Sequence, residues 1–182
     1  MQHENVVFPE SIDFRCRNCG FCCRDQPSDI SLKEQKKIEA IGFANFLENP
    51  DDAGNRNIRR KKDGSCFFFT KENTCQIQSV KPAICRLDPF IITDYDYETK
   101  RISLDLNPLA VKTCKGILTG EMGYPEEIAE AAQAIVNEFL EIVAKKTGLQ
   151  LTDKKVARLT KKLIANLNSV GNEKSKPTRK RE

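Results

Sequence analysis

The sequence predicts a small α+β protein: an irregular, cysteine-rich metal-binding core carrying short hairpins, closed by a C-terminal antiparallel helix pair. Three observations predict it. Four of the eight cysteines fall within CRNCGFCC, from Cys16 to Cys23, in turn-rich sequence. Two pairs of short β-prone segments are each joined by a polar turn. From Pro125 onward the apolar residues switch to helical spacing.

Taken in order, residues 1–15 read as an irregular or short extended lead-in, and the cysteine knot follows in a Gly-containing turn. In DISLKEQKKIEAIGFANFLEN, Ser31 and Glu34 form a capping-box signature. Leu32, Ile38, Ile41 and Phe46 are roughly helical in spacing, so a helix is expected near 32–48, with Gly42 weakening its interior. NPDDAGNRNIRRKKDG, at 49–64, is a loop whose RRKK run is expected to be a solvated surface. CFFFTKENTCQIQ reads as a small hairpin carrying Cys66 and Cys75. Pro82 and Pro89 interrupt regular structure around Cys85. FIITDY and KRISLDL form a second hairpin, with Ile102, Leu104 and Leu106 alternating toward one face.

Cys114 follows NPLAVKT. PEEIAEAAQAIVNEFLEIVAKKTG has proline at N1, acids in its first turn, lysines in its last and Gly148 just beyond. Ile128, Ala132, Ile135, Phe139 and Ile142 make its stripe. A second helix starts near Thr152, with Val156, Leu159, Leu163 and Leu167 as its apolar face. The expected organisation is a cysteine-cluster metal-binding region over 1–118, the helix pair packed on it over 119–170, and a basic tail over 171–182. That tail has almost nothing apolar to bury, so disorder is expected.

The chain is 182 residues long, 39% hydrophobic and 31% charged, which suits one domain with a real core. A formal charge of +4 is too mild to argue for a nucleic-acid partner. No run approaches the ~18 apolar residues of a membrane span, so no membrane association is expected. The N-terminus has no basic region followed by an apolar one. The expected location is the cytoplasm, where thiols stay reduced and dense cysteines bind metal rather than pair as disulfides.

Cys16-x2-Cys19-x2-Cys22 puts three thiols on one compact turn. A C-x2-C pair has the bite to hold one metal at about 2.3 Å from each sulfur. The triple spacing is like the opening of bacterial-type iron–sulfur sites, whose fourth cysteine comes from beside a proline. Cys85, in KPAICRLDP, stands in such a place. The adjacent pair Cys22 and Cys23 points to opposite sides if the backbone there is extended, and then serves two sites. One as ligand and the other as its support is equally consistent. Eight cysteines make two four-cysteine sites; one such site with four supporting thiols also fits the count.

Other chemistries fit less well. A disulfide scaffold conflicts with the length and the tight spacing. A radical-SAM site needs C-x3-C-x2-C, and position 15 is Arg15. A nucleophilic cysteine needs a base, and the one histidine is His3, near the terminus. Asp88, Asp94 and Asp96 lie near the cysteines in sequence but read as turn residues. Burial as small hydrophobes is the plain alternative for Cys66, Cys75 and Cys114.

C-x2-CGxCC at 16–23, CFF at 66–68, TCQI at 74–77, KPAICR at 81–86 and PF at 89–90 resemble the YkgJ-type cysteine-cluster proteins. That family is described as zinc- or iron-chelating. It includes the cysteine-rich part of flagellin lysine methylases, whose cluster is taken to be iron–sulfur. The resemblance covers about residues 14–115. It implies metal ligation by Cys16, Cys19, Cys22, Cys23, Cys66, Cys75, Cys85 and Cys114. Lys81 departs from the arginine the family carries before the proline. The C-terminal helices have no Gly-rich nucleotide turn, so methyl transfer is not implied.

All-cysteine ligation suits both zinc and iron–sulfur. The C-x2-C-x2-C triplet favours a 4Fe-4S cluster over Zn2+. So do Phe21, Phe67, Phe68, Phe69 and Phe90, which lie near the ligands in sequence and can exclude water; ordinary core packing explains them equally well. Arg17, Arg24 and Arg86 flank ligand cysteines and can offset thiolate charge. The expected role is electron transfer or support of a larger enzyme through a protein or redox-enzyme partner, without catalysis by this chain. A structural zinc protein is the alternative, and a metal-dependent protein-modifying enzyme related to the lysine methylases is a second. Lysines of KKVARLTKKL and the RKR end can neutralise phosphate, but solvated helix faces read the same way.

Overall fold

The computed structural model describes residues 5–10, 12–24, 28–49, 56–117 and 125–173, the last eight by backbone alone. His3 and the tail from 174 lie outside them. In chain order the elements are β1 (Val6–Val7), α1 (Leu32–Ala40), a 3-10 turn (Gln78–Val80), α2 (Ala83–Leu87), β2 (Phe90–Asp96), β3 (Arg101–Leu106), α3 (Pro108–Thr113), α4 (Pro125–Thr147) and α5 (Lys154–Glu173). This is an α+β fold with a C-terminal helix pair.

β2 and β3 form the expected antiparallel hairpin, and β1 joins β3 in parallel, giving the order β1-β3-β2. The register pairs Phe90 with Leu106 and Asp96 with Arg101, with an irregularity between Ile92 and Asp94. Alternation buries Ile102, Leu104 and Leu106 together. With Phe14, Leu87, Phe90, Ile92 and Tyr95 they make one core, roofed by α4 and α5. α4 lies against α2, α5 and β1, so its buried arc is wider than a single stripe. Ile128 and Ala132 are buried as expected, together with Ala129, Ala131, Val136 and Val143, whereas Ile142 is exposed. α5 packs on β2 and α4 at once. Its buried face is therefore Val156, Ala157, Thr160 and Ile164, and Leu163 points to solvent. Leu167 lies beyond the described side chains.

A second core forms around Ile30, Ile38, Phe46, Ile58, Phe68, Phe69 and Ile77. α1 contributes Ile38 to it. Its start is the expected capping box: Glu34 N–H donates to Ser31 Oγ, and Ser31 N–H donates to Glu34 Oε2. The helix stops at Ala40 rather than near 48, because the chain turns at Gly42, whose N–H closes back on the Glu39 carbonyl. Phe46 then enters the core from an irregular segment and packs on Phe68. The first cysteine hairpin is a tight loop with an isolated Phe69–Cys75 bridge and no extended strand.

Ile102 is fully buried and its N–H donates to the Asn5 carbonyl, so it ties the central strand to the N-terminal one. Ile102→Ala is expected to cost about 2–5 kcal/mol, read as a lowered denaturant midpoint. A loss under about 0.5 kcal/mol would show that this strand is not the keystone of the first core.

Candidate metal centre

The cysteines arrive from five stretches of chain, and short-range contacts bring them together. The knot is a turn: Cys23 N–H donates to the Gly20 carbonyl and Arg24 N–H to that of Phe21. Gly20 sits at φ +77°, and a Cβ there would lie 2.6 Å from the Phe69 ring, so only glycine fits. Because the backbone is turned and not extended, the Cys22 and Cys23 thiols meet instead of pointing apart. Cys66 N–H donates to the Cys23 carbonyl at 2.7 Å, fastening the distant loop to the knot. Cys75 returns beside Phe69 through a turn closed by Thr70 and Thr74. Cys85 rides on α2, whose first N–H, from Ala83, donates to Glu34 Oε1 at 2.7 Å. One carboxylate thus serves the ends of two helices. Cys114 ends α3, a Phe14–Ile117 bridge draws that end to the start of the knot, and its thiol meets Cys19. Gly116 makes that approach possible, since a Cβ would stand 2.3 Å from the Arg15 carbonyl oxygen.

These contacts gather all eight cysteines around two adjoining spaces at the meeting of the two cores. One is a cleft of about 480 Å³ whose walls include Cys16, Cys19 and Cys114. The other is a small void of about 20 Å³ behind it, lined by Cys66 and Cys85. Cys22, Cys23, Cys75, Lys81 and Phe69 line both. No cysteine is in a disulfide. Among the described residues, no three thiol, imidazole or carboxylate side chains are drawn into a ready-made shell for one ion. The donor chemistry nevertheless suits a soft or borderline metal.

Charge explains which thiols are poised. Burial works against Cys19 ionising, but N–H groups of Phe21 and Lys115 and the Cys114 thiol hold it below the ordinary cysteine value. Cys22 is pushed up by its bond with Cys23, by burial and by Asp88. Burial raises Cys85 to about 12 and Cys114 to about 11. Lys81 is half-buried; burial opposes its charge, but Cys22, Cys85, Cys16 and Cys23 hold its ammonium above the usual value. Asp88 faces the same cleft, and burial raises its carboxyl to about 7 against the pull of Lys81 and Arg60. Four thiols around one ammonium make an electron-rich site with a partial counter-charge already in place.

Arg59, Lys61 and Lys62 of the RRKK run are exposed, as expected of a surface, but Arg60 is half-buried and turns toward the site. Arg60 donates to the Cys23 carbonyl and to Ser28 Oγ, both at 3.2 Å. Ser28 is buried and its hydroxyl reaches the Cys85 thiol. Lys61 Nζ donates to the Phe69 carbonyl, and Arg59 lies over the Phe67 ring. Composition alone could not reveal the role of Arg60, because its partners lie 32 and 37 residues away in sequence. Of the arginines singled out from sequence, Arg17 and Arg86 line the cleft, and Arg86 pairs with Glu130 of α4 at 3.7 Å. Arg24 stacks on Phe69 and reaches Asp63. Phe21, Phe68 and Phe69 line the two spaces, whereas Phe90 belongs to the first core with Phe8 and Phe14. Asp94 pairs with Lys161 and Asp96 accepts from the Glu98 and Thr99 N–H groups, which leaves Asp88 as the acid of the three at the site.

A fold that draws eight scattered thiols to the walls of a cleft and the void behind it defines a metal-chelating domain. The chain belongs to the CxxCxxCC family, described as a "putative zinc- or iron-chelating domain", whose model matches residues 15–106. An uncharacterized protein of Methanocaldococcus jannaschii, MJ0661, is 27% identical over 141 residues, covering 71% of this chain and 72% of that one. No solved structure matches the chain. No helix among the described residues is long and apolar enough to cross a membrane.

Asp88 sets a pH dependence for the metal-free protein. Its folded-state value, about 7, lies above the ordinary 3.8, so the folded form holds the proton more tightly. Its contribution to stability is full below about pH 4 and is lost as pH rises through 7. Asp88→Asn is expected to flatten the decline in denaturant midpoint between pH 4.5 and 7.5. An unchanged slope in the variant would show that the buried carboxyl is not its source.

Proposed function

We propose that this protein holds one or two cysteine-ligated iron–sulfur clusters of 4Fe-4S type in the cytoplasm. It acts in electron transfer or as an accessory module to a redox enzyme, without catalysis of its own. One observation carries the reading: all eight thiols border a single cleft and the void behind it. A cleft of about 480 Å³ is far larger than one metal ion needs and suits a polyatomic group. Phe21 and Phe69 on its walls restrict water, and Lys81 offsets thiolate charge; both act on a cluster's potential.

Anaerobic purification is expected to yield a brown protein with broad visible absorption. Iron and acid-labile sulfide should be present in comparable amounts, with a paramagnetic signal on reduction. The same sample serves elemental analysis and electron paramagnetic resonance. A colourless anaerobic preparation carrying stoichiometric zinc would rule the reading out in favour of a structural zinc site. In that case chelation should unfold the region around residues 16–115, because metal-binding free energy is then folding free energy.

A further inference from the structure

We infer that the eight cysteines divide into two metal centres of different size. Cys16, Cys19, Cys22 and Cys114 hold an iron–sulfur cluster in the open cleft, and Cys23, Cys66, Cys75 and Cys85 hold a single metal ion in the void behind it. The inference rests on the proposed function for the nature of the outer centre.

Three observations carry the division. The first is the walls themselves: Cys16, Cys19 and Cys114 border only the cleft, and Cys66 and Cys85 only the void. The second assigns the shared residues. Cys23 and Cys75 pack with Cys66 against the second core, whereas Cys114 packs against the first. The Cys19 thiol bonds to Cys114, and Cys22 stands within charge range of Cys114 while its thiol meets that of Cys23, so the two centres adjoin at the Cys22–Cys23 pair. The third is room. The void of about 20 Å³ matches one water-sized occupant, since roughly 10–15 Å³ is needed for a water. Its walls include the buried Ile58, Phe68 and Ile77 of a packed core, which does not widen for a four-iron cube. A tetrahedral ion about 2.3 Å from each sulfur needs only that the thiols draw inward.

The two centres then differ in task. The inner ion ties the knot, the Cys66–Cys75 loop and α2 into one unit. The outer cluster includes the exposed Cys16 and faces the open cleft, where a redox partner can approach. Its fourth ligand, Cys114, lies beyond residue 106, where the match to the family model ends.

Full-length protein, purified anaerobically, is assayed for iron, zinc and acid-labile sulfide beside Cys114→Ser, Cys85→Ser and Cys75→Ser. The wild type is expected to carry about four sulfides and about five metal ions per chain. Cys114→Ser should lose most sulfide and visible absorption yet keep about one metal. Cys85→Ser and Cys75→Ser should keep the sulfide and lose the single ion. Should the inner variants fail to fold, native mass spectrometry of the wild type still decides between five metals and four or eight. About eight sulfides per chain, or loss of every metal in Cys114→Ser, overturns the division while leaving an iron–sulfur protein. Sulfide-free wild type overturns the iron–sulfur reading instead. There, two zinc ions with one lost per variant would still bear out the two ligand sets, and a single zinc would overturn them.

Discussion

The hydrogen bond from Cys66 N–H to the Cys23 carbonyl, 2.7 Å long, is the contact on which the cysteine site turns. It joins loops more than forty residues apart, at the point where the N-terminal knot ends. Arg60 reinforces it by donating to the same carbonyl. A carbonyl that accepts from two donors cannot swing away, so the peptide after Cys23 is held and the thiols before it keep their direction. Gly20 permits the turn to lie flat on the Phe69 ring. The knot is therefore shaped by the loops it meets as much as by its own sequence.

Gathering thiols raises an electrostatic problem, because thiolates in one low-dielectric space repel each other. The fold answers it with cations and N–H donors drawn from several elements. Lys81 supplies a charge at the wall common to both spaces. Backbone N–H groups favour ionisation of Cys19, while burial keeps Cys85 and Cys114 protonated until something replaces the proton. A metal bound by these thiols would be such a replacement, and its uptake would release those protons. Asp88 adds negative charge to the same cleft, which raises the demand for a cation there.

The site lies where two hydrophobic cores meet. The sheet, α4 and α5 make one; α1 and the Phe-rich loop make the other. Two anchors on α2 span them: Glu34 of α1 accepts from its first N–H, and Glu130 of α4 pairs with Arg86. The exposed part of that ion pair adds little stability, but its position matters because α2 also carries Cys85. Any force that shifts the cores against each other shifts Cys85 relative to the knot. A metal held by Cys85 would therefore be coupled to core docking through this five-residue helix.

Local pattern was enough for the α+β class, the second hairpin, the capping box at Ser31 and the helix pair, because each rests on periodicity or cap chemistry within a few residues. The eight cysteines and their metal chemistry were equally legible as residues. Tertiary contacts decided the rest. α1 stops at Ala40 because the chain must turn to deliver Phe46 to the second core, and helical spacing does not encode that demand. Ile142 and Leu163 are exposed because α4 and α5 each pack on more than one neighbour, so the buried arc rotates away from the simplest stripe. Arg60, alone of the RRKK run, entered the site with Ser28 and Lys81, through partners far off in the chain. Residue chemistry is local and can be read in one dimension; which thiols share a cavity depends on loop closure and packing, which exist only in three.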